Sequence, residues 1–294
     1  MQNAKAALLK MFGRKKDTTD TRQMPRSLAG PGTSRTNGTT NEPAYVIERY
    51  AAYYPMNHKR RGMALIFSHN KYNVPNVTLP SREGSDVDCK RLKDTLTSFG
   101  FDVKIYQDFK LEEIKNVIDS VAAMDHKDSD CFLVAVLTHG EEGDYVYAHD
   151  CAYQLSSIWT HFTAKNCPSL AGRPKIFLIQ ACRGNQLDSG VKVQKDGVAR
   201  YSIPTHADFL FAYATIPGFM AFRNTSEGSW FINELCKEMN ENGNKYDFLT
   251  LLTFVTQRVA YDHESMSNLP EHNMRKQTPC VVSMLTRLLL FNEV

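Results

Sequence analysis

A cysteine and a histidine in this sequence each follow a run of apolar residues, and together they could perform nucleophilic catalysis. Cys182 lies in KIFLIQACRGNQLDSG (175–190), and His139 lies in CFLVAVLTHG (131–140). A thiolate is a strong nucleophile, and a neighbouring imidazole lowers the pKa of the thiol or accepts its proton. The other six cysteines lie within a strand or helix pattern or beside no such partner. A free cysteine of that kind is most often a small buried side chain.

The two apolar runs predict the strands that would bring these residues together. The run 131–137 ends just before His139, and the run 175–179 ends just before Cys182. Ligands of a parallel sheet bind beyond the carboxyl ends of its strands, so neighbouring strands would place both side chains at one edge. The backbone N–H groups of Gly140 and Cys182 would then suit the oxyanion of an acyl transfer, because glycine lets a carbonyl approach closely.

Strand and helix patterns alternate from about residue 61 onward. Short apolar runs are typical of strands buried on both faces, and apolar spacings of three and four are typical of amphipathic helices. The predicted strands are 62–67, 101–106, 131–137, 175–179, 208–213 and 280–285, and the predicted helices are 85–100, 111–121, 229–240 and 246–261. For the first helix we expect Ser85 or Asp86 as N-cap and Gly100 at the end. The alternation predicts an α/β fold with a mostly parallel sheet flanked by helices.

Composition excludes several classes of function. The 294 residues are 42% hydrophobic and 23% charged with a net charge of +3, which is ordinary for a globular protein and gives no reason to expect nucleic acid. No run is long enough for a membrane span, and no phosphate-binding glycine motif follows a strand. The seven cysteines are an odd number without C-x-x-C spacing, and no secretory signal is evident. We therefore expect a cytoplasmic protein without a metal or cofactor.

The N-terminal region differs from the rest of the chain. Residues 13–43 are rich in Gly, Ser, Thr, Pro and Asn, so we expect this segment to be disordered. The basic stretch MQNAKAALLKMFGRKK (1–16) fits an amphipathic helix for an anionic membrane surface, an organelle-targeting signal or a solvated basic tail. We favour the solvated tail.

Several motifs give the chain a resemblance to the caspases. QACRG around Cys182, with His139 upstream, matches the caspase signature Q-A-C-[RQG]-G with its preceding histidine. The resemblance runs from KRRGMALIF to TPCVVSMLTRLLLF and includes SREGSDVD, LTHGEEG, IPTHADFL and FRNTSEGSWF in order. It implies a caspase-like fold with a six-stranded sheet and a large and a small subunit. It also implies an endopeptidase that cleaves after aspartate, with His139, Gly140 and Cys182 as the catalytic residues.

Two alternatives accompany this interpretation. A catalytically weak caspase-like module could regulate an active caspase by heterodimerisation, but such a module has no need of an intact His139 and Cys182. A relative specific for arginine or lysine would require acidic residues in place of Arg82 and Arg223. Neither alternative fits the sequence as well as an active enzyme does.

The resemblance also implies the residues that bind the substrate. An aspartate side chain is held best by arginine through paired, charge-assisted hydrogen bonds. The residues that match the family's aspartate pocket are Arg82, Gln180 and Arg223, and Asn224 and Trp230 match the lining of a distal subsite. Ala221 and Phe222 stand in the pocket wall where serine and tryptophan are common, so this wall departs from the family pattern. Met266 and Asn268 stand where aromatic residues are common, so the preference for the residue three before the aspartate stays open.

Activation by cleavage is a further implication of the resemblance. It implies a prodomain over residues 1–43 that is cut after Asp20 in DTTD. A cut after Asp196 in VQKD would separate a large subunit (44–196) from a small subunit (197–294), and Asp188 is a further candidate. The leader is too short for a recruitment domain, which favours an effector caspase that executes apoptosis.

Partners follow from the same resemblance. They are protein substrates with aspartate at the cleavage site, an upstream initiator caspase and proteins of the inhibitor-of-apoptosis type. A second copy of the chain would complete a homodimer of large–small heterodimers through the last strand, CVVSMLTRLLLF.

Overall fold

The described part of the chain is built on a six-stranded sheet. The computed structural model describes residues 50–187, 206–266 and 270–291. The strands are β1 (Met63–Ser68), β2 (Asp102–Gln107), β3 (Phe132–Leu137), β4 (Lys175–Gln180), β5 (Phe209–Tyr213) and β6 (Cys280–Ser283). Their order is β6-β5-β4-β3-β1-β2, and all neighbours are parallel except β5 and β6. The predicted α/β fold with a mostly parallel sheet is confirmed.

Helices cover both faces of this sheet. They are α1 (Ser85–Ser98), α2 (Leu111–Ala122), α3 (Trp230–Asn242) and α4 (Phe248–Asp262). Helices α1, α3 and α4 share one apolar core with alternate strand residues such as Ile66 and Leu178, whereas α2 packs with the intervening residues such as Phe67 and Phe177. Every residue of β3, β4 and β5 is buried. This two-sided burial explains why these strands read as continuous apolar runs in the sequence.

Smaller elements complete the described part of the fold. A three-stranded antiparallel ladder joins Gly140–Glu141, Tyr145–Tyr147 and Ala152–Gln154. A hairpin, here called the 223–229 hairpin, pairs Arg223–Asn224 with Gly228–Ser229. The remaining short elements are the helix Ser156–Trp159 and the 3₁₀ turns Thr160–Phe162, Pro168–Leu170 and Pro270–His272.

The start of α1 differs from the sequence prediction. The N-cap is Gly84 rather than Ser85 or Asp86, and its φ of 84° lies in the left-handed region. A Cβ at Gly84 would lie 2.6 Å from the carbonyl oxygen of Asn224, far inside contact distance. The close approach of the 223–229 hairpin therefore requires glycine where a capping side chain was expected.

The last strand is shorter than predicted. It ends at Ser283, whereas the sequence suggested a strand over 280–285 within a long apolar segment. After β6 the chain turns back, and the backbone N–H of Leu288 donates to Ala52 at 2.8 Å. Leu289 and Phe291 are buried in the core. The apolar residues at the end of the chain thus fill the interior rather than extend the edge strand.

Some predictions fall outside the described residues. These are the disordered segment 13–43, the cleavage candidates Asp20, Asp188 and Asp196, and the distal residue Asn268. Within the described ranges, no helix combines the length and the apolar character needed to cross a bilayer.

Candidate active site

Cys182 and His139 meet at one edge of the sheet because their strands are parallel neighbours. The register of β3 and β4 pairs Leu137 with Gln180. Each reactive residue stands two positions beyond the end of its strand. The edge where the predicted nucleophile and its histidine converge is therefore the carboxyl edge, as expected for a parallel sheet.

Gly140 brings the backbone after His139 against the backbone of Cys182. A Cβ built on Gly140 would lie 2.2 Å from the carbonyl oxygen of Cys182 and 2.9 Å from the Cβ of Ala181. Because no side chain fits in this space, the close approach of the two strand ends depends on glycine.

A backbone carbonyl orients the His139 ring. Its Nε2 lies 2.9 Å from the carbonyl oxygen of Pro80. A carbonyl can only accept a hydrogen bond, so Nε2 carries the proton and Nδ1 of the neutral ring is left with a lone pair. The ring also lies against Tyr72, with the ring centres 5.0 Å apart.

Electrostatics keep this imidazole neutral. Burial lowers the pKa of His139, and the charges of Arg82 and Arg223 act in the same direction, against the opposing effect of the Pro80 carbonyl. A neutral imidazole at physiological pH is the form that can accept a proton from a thiol.

The thiol of Cys182 lies at the boundary between the two predicted subunits. Its Sγ accepts a hydrogen bond from the backbone N–H of Ala221 at 3.4 Å and lies 3.9 Å from the carbonyl oxygen of the same residue. The side chain is half-buried, so a substrate carbonyl can reach it from the open edge. A reactive cysteine needs this partial exposure.

Two arginines and a glutamine are the residues predicted to hold the substrate aspartate. Arg82 is 1% exposed, and its guanidinium donates to the carbonyl oxygen of His69 at 3.1 Å. Gln180 is buried, and its Oε1 has no hydrogen-bond partner among the described residues. The Nε of Arg223 donates to the carbonyl oxygen of Glu83 at 2.8 Å. Each arginine uses part of its guanidinium to hold the backbone.

Both arginines keep their charge in this setting. Burial lowers the pKa of Arg82 to about 10, and the charge of Arg223 lowers it further. Burial also lowers the pKa of Arg223, whereas the charge of Asp88 opposes that effect. At neutral pH two positive charges therefore lie close together, and such a pair favours a bound anion.

The residues predicted to line the distal subsite form a stack. The Phe222 ring stacks on Trp230 with centres 4.8 Å apart, and Trp230 stacks on His263 at 5.1 Å. His263 is fixed in turn by Glu234, with Nε2 and Oε1 3.0 Å apart. Met266 is 95% exposed and covers none of this stack.

Asn224 has a local role in the structure. Its Oδ1 accepts hydrogen bonds from the N–H groups of Ser226 at 2.8 Å and Glu227 at 3.1 Å. This arrangement closes the turn of the 223–229 hairpin. The residue thus supports the hairpin that carries Arg223 as well as lying beside the predicted pocket.

Several site residues carried no signal in the sequence. Tyr72 accepts the backbone N–H of His139 at 3.2 Å and donates to the carbonyl oxygen of His69 at 3.1 Å. Gln277 is buried, accepts the N–H of Phe222 at 2.6 Å and donates to Ala214 at 2.8 Å. Tyr72 and Gln277 hydrogen-bond to backbone groups, and residue type alone does not indicate which backbone groups a side chain will reach.

His69 is unusual among these supporting residues. Its ring is fully buried, and neither ring nitrogen has a hydrogen-bond partner among the described residues. Burial lowers the pKa of His69 to about 4, and the charge of Arg82 contributes in the same direction. The ring is therefore neutral behind the pocket and adds no competing positive charge.

Comparisons with known proteins identify the family of the chain. The family model for the caspase domain matches residues 61–290. Caspase drICE of Drosophila melanogaster is 51% identical over 261 residues, which cover 86% of this chain and 76% of the relative. Caspase-1 of Spodoptera frugiperda is 46% identical over 289 residues, which cover 94% of this chain and 95% of the relative. The crystal structure of the Spodoptera frugiperda protein superimposes with a TM-score of 0.79 at 48% identity, covering 84% of this chain and 98% of that chain.

The family match and these relatives, together with a mostly parallel sheet that has a cysteine and a histidine at one edge, define a cysteine endopeptidase that cleaves after aspartate. The chain belongs to the caspase family, as the sequence motifs predicted.

Proposed function

We propose that this protein is an effector caspase that executes apoptosis and is made as a precursor that is activated by cleavage after aspartate. The observation that carries the proposal is the placement of Cys182 and His139 at neighbouring strand ends, with the charges of the buried Arg82 and the half-buried Arg223 nearby. The insect relatives, which include drICE, support the apoptotic role.

Catalysis would proceed by acyl transfer to the cysteine. The Sγ of Cys182 attacks the scissile carbonyl carbon as its proton moves to Nδ1 of His139. The backbone N–H groups of Gly140 and Cys182 hold the oxyanion. His139 then gives its proton to the leaving amine, the C–N bond breaks, and a thioester remains. Water attacks the thioester while His139 accepts its proton, and the acid product and the thiol are released.

Recognition of the substrate aspartate is assigned to Arg82, Gln180 and Arg223. The two guanidinium groups supply charge, and the side-chain NH2 group of the buried Gln180 supplies a further hydrogen-bond donor. A carboxylate in this position compensates two desolvated positive charges, which explains a strong preference for aspartate. Phe222, Asn224 and Trp230 are assigned to the neighbouring subsites.

Precursor processing is assigned to Asp20 and Asp196. We propose a prodomain (1–43), a large subunit (44–196) and a small subunit (197–294), with two heterodimers paired in the mature enzyme. An initiator caspase would make the first cut in the cytoplasm, and proteins of the inhibitor-of-apoptosis type would restrain the product. Asp196→Ala should prevent separation of the subunits, with Asp188→Ala as the matched control. If mass spectrometry still finds a cut within residues 185–200 of the Asp196→Ala chain, the assignment of the cut to Asp196 is wrong.

Positional peptide libraries test the proposed function directly. We expect hydrolysis only after aspartate, with a rate that drops to background in the Cys182→Ala variant. Failure of the processed protein to hydrolyse any aspartyl peptide would favour a caspase-like module that regulates an active partner. The same library measures the distal preference beside Met266.

A further inference from the structure

Asp88 on α1 is a buried acid that faces the 223–229 hairpin. The residue is fully buried, and its Oδ1 accepts the backbone N–H of Ser229 at 2.8 Å. Its Oδ2 has no hydrogen-bond partner among the described residues. Gly228 lies so close that a Cβ there would be 2.3 Å from Oδ1 of Asp88. The hairpin is therefore shaped to receive this carboxylate.

The contact with Asp88 is one of several that join α1 to the hairpin. The Nε of Arg223 donates to the carbonyl oxygen of Glu83, and Arg91 donates to the carbonyl oxygen of Glu227, both at 2.8 Å. The residues on the α1 side precede the predicted cleavage at Asp196, and the hairpin follows it. These contacts therefore set the position of Arg223 relative to the predicted large subunit.

A buried carboxylate with one hydrogen bond is costly unless positive charges compensate it. Burial raises the pKa of Asp88, and the N–H of Ser229 and the charges of Arg82 and Arg223 oppose that effect. In return, the negative charge of Asp88 favours the protonated forms of both arginines. The three residues thus form one electrostatic group.

We propose that Asp88 is a positioning residue for the aspartate pocket. It holds the 223–229 hairpin on α1 through Ser229, and its charge keeps the two guanidinium groups together before a substrate carboxylate arrives. Asp88 acts through Arg82 and Arg223, and the proposal rests on the proposed function because it assigns these arginines to the substrate.

The test compares Asp88→Asn and Asp88→Ala with the unaltered chain. Asparagine keeps the volume and the acceptor for Ser229 but removes the charge, whereas alanine removes both. Each full-length chain is cut to completion by tagged unaltered enzyme, which is then removed, and active sites are counted by titration. Asp86→Asn, an exposed acid on the same helix, is the matched control.

We measure kcat and KM on an aspartyl peptide, the rate of Cys182 alkylation by neutral iodoacetamide, and the melting temperature. For Asp88→Asn we expect KM to rise about tenfold, the size expected when a charged partner is lost. We expect kcat and the alkylation rate to stay within about twofold, because His139 and Cys182 follow β3 and β4 and are not part of the hairpin. Asp88→Ala should raise KM further, and Asp86→Asn should change nothing.

An Asp88→Asn chain with unchanged or lowered KM would overturn the proposal. A joint loss of kcat, alkylation rate and melting temperature would also overturn it, since Asp88 would then have only a general structural role. If the unaltered chain hydrolyses no aspartyl peptide, the proposed function fails and this inference fails with it. If the unaltered chain is active and both Asp88 variants match it, the inference alone fails.

Discussion

The edge that carries the proposed reactive pair and the pocket proposed for the substrate aspartate are built in different ways. Cys182 and His139 follow central strands that are paired on both sides and buried on both faces. Arg82 lies in a loop before α1, and Arg223 lies in a two-residue strand of the 223–229 hairpin. The sheet fixes the first region, whereas side-chain hydrogen bonds to backbone carbonyls fix the second.

This difference separates reactivity from recognition. Backbone pairing along whole strands positions the segments that carry the sulfur and the imidazole, and the Pro80 carbonyl orients the ring. The pocket depends on contacts between segments that are distant in sequence, such as Gly84 against Asn224. We expect changes at the edge to alter kcat for every substrate, and changes in the pocket to alter KM.

Removing the nucleophile gives the largest expected effect. Cys182→Ala should lower kcat by about 10⁴-fold or more, because no other group at the edge can form the thioester. The variant should still bind an aspartyl peptide, which isothermal titration can measure. Cys151→Ala, which alters a half-buried free cysteine elsewhere, serves as control. Loss of peptide binding in Cys182→Ala would show that the two regions are not separable.

A change in the pocket should act on binding. In Arg82→Lys the planar guanidinium is lost, and with it both the hydrogen bond to His69 and the paired contact with a carboxylate. We expect kcat/KM to fall about 10²-fold, mostly through KM, in steady-state kinetics. The control is Arg60→Lys, which changes an exposed arginine just before the start of β1 and should leave kcat/KM unchanged. A fall confined to kcat would contradict the division between the regions.

Gly140→Ala tests whether the close approach of the two strand ends matters, and it leaves the side chains of Cys182 and His139 unchanged. The added Cβ would overlap the carbonyl oxygen of Cys182, so the two strand ends must separate. We expect kcat to fall about 30-fold with a smaller change in KM, since a misplacement of about 1 Å can cost 10²-fold. The control is Gly172→Ala, where a Cβ would have open space and only the positive φ of 72° adds strain. Equal kcat in both variants would show that the close approach is dispensable.

The pH dependence of thiol reactivity gives the smallest expected effect. Burial lowers the pKa of His139 below its ordinary value of 6.5, so the ring stays neutral until the pH falls through this lowered value. The rate of Cys182 alkylation should therefore be level from neutral pH down to 6.5 and decline only in more acidic solution. The charge of the pocket should not change in this range, because the pKa of Arg82 is about 10. An acid limb at or above pH 6.5 would contradict this electrostatic account.

The central sheet could be predicted from the sequence because its strands are buried on both faces. Residues 131–137 and 175–179 read as apolar runs, and the structure places strands there. The end of the last strand was harder to predict, because the apolar residues Leu289 and Phe291 after Ser283 pack in the core and do not extend the strand. Apolar content alone does not distinguish these two uses.

The site was predictable where a residue type carries the chemistry. Cys182 and His139 stand directly after their strands, so their meeting follows from strand order. The carbonyl of Pro80, the fold around Asp88 and the glycine N-cap at Gly84 could not be predicted, because each depends on how distant loops pack. A backbone carbonyl that orients an imidazole leaves no trace in residue identity.

The pairing of β4 with β5 has a kinetic consequence for the mature enzyme. These strands pair from Lys175–Phe209 to Ile179–Tyr213, and the chain that connects them contains Asp196. In the uncut chain this pairing forms within one molecule, but after a cut at Asp196 it must form between two polypeptides. Recovery from unfolding then depends on protein concentration, as for any obligate complex. For a chain cut at this proposed site, the working lifetime is therefore set by the rate at which it first unfolds.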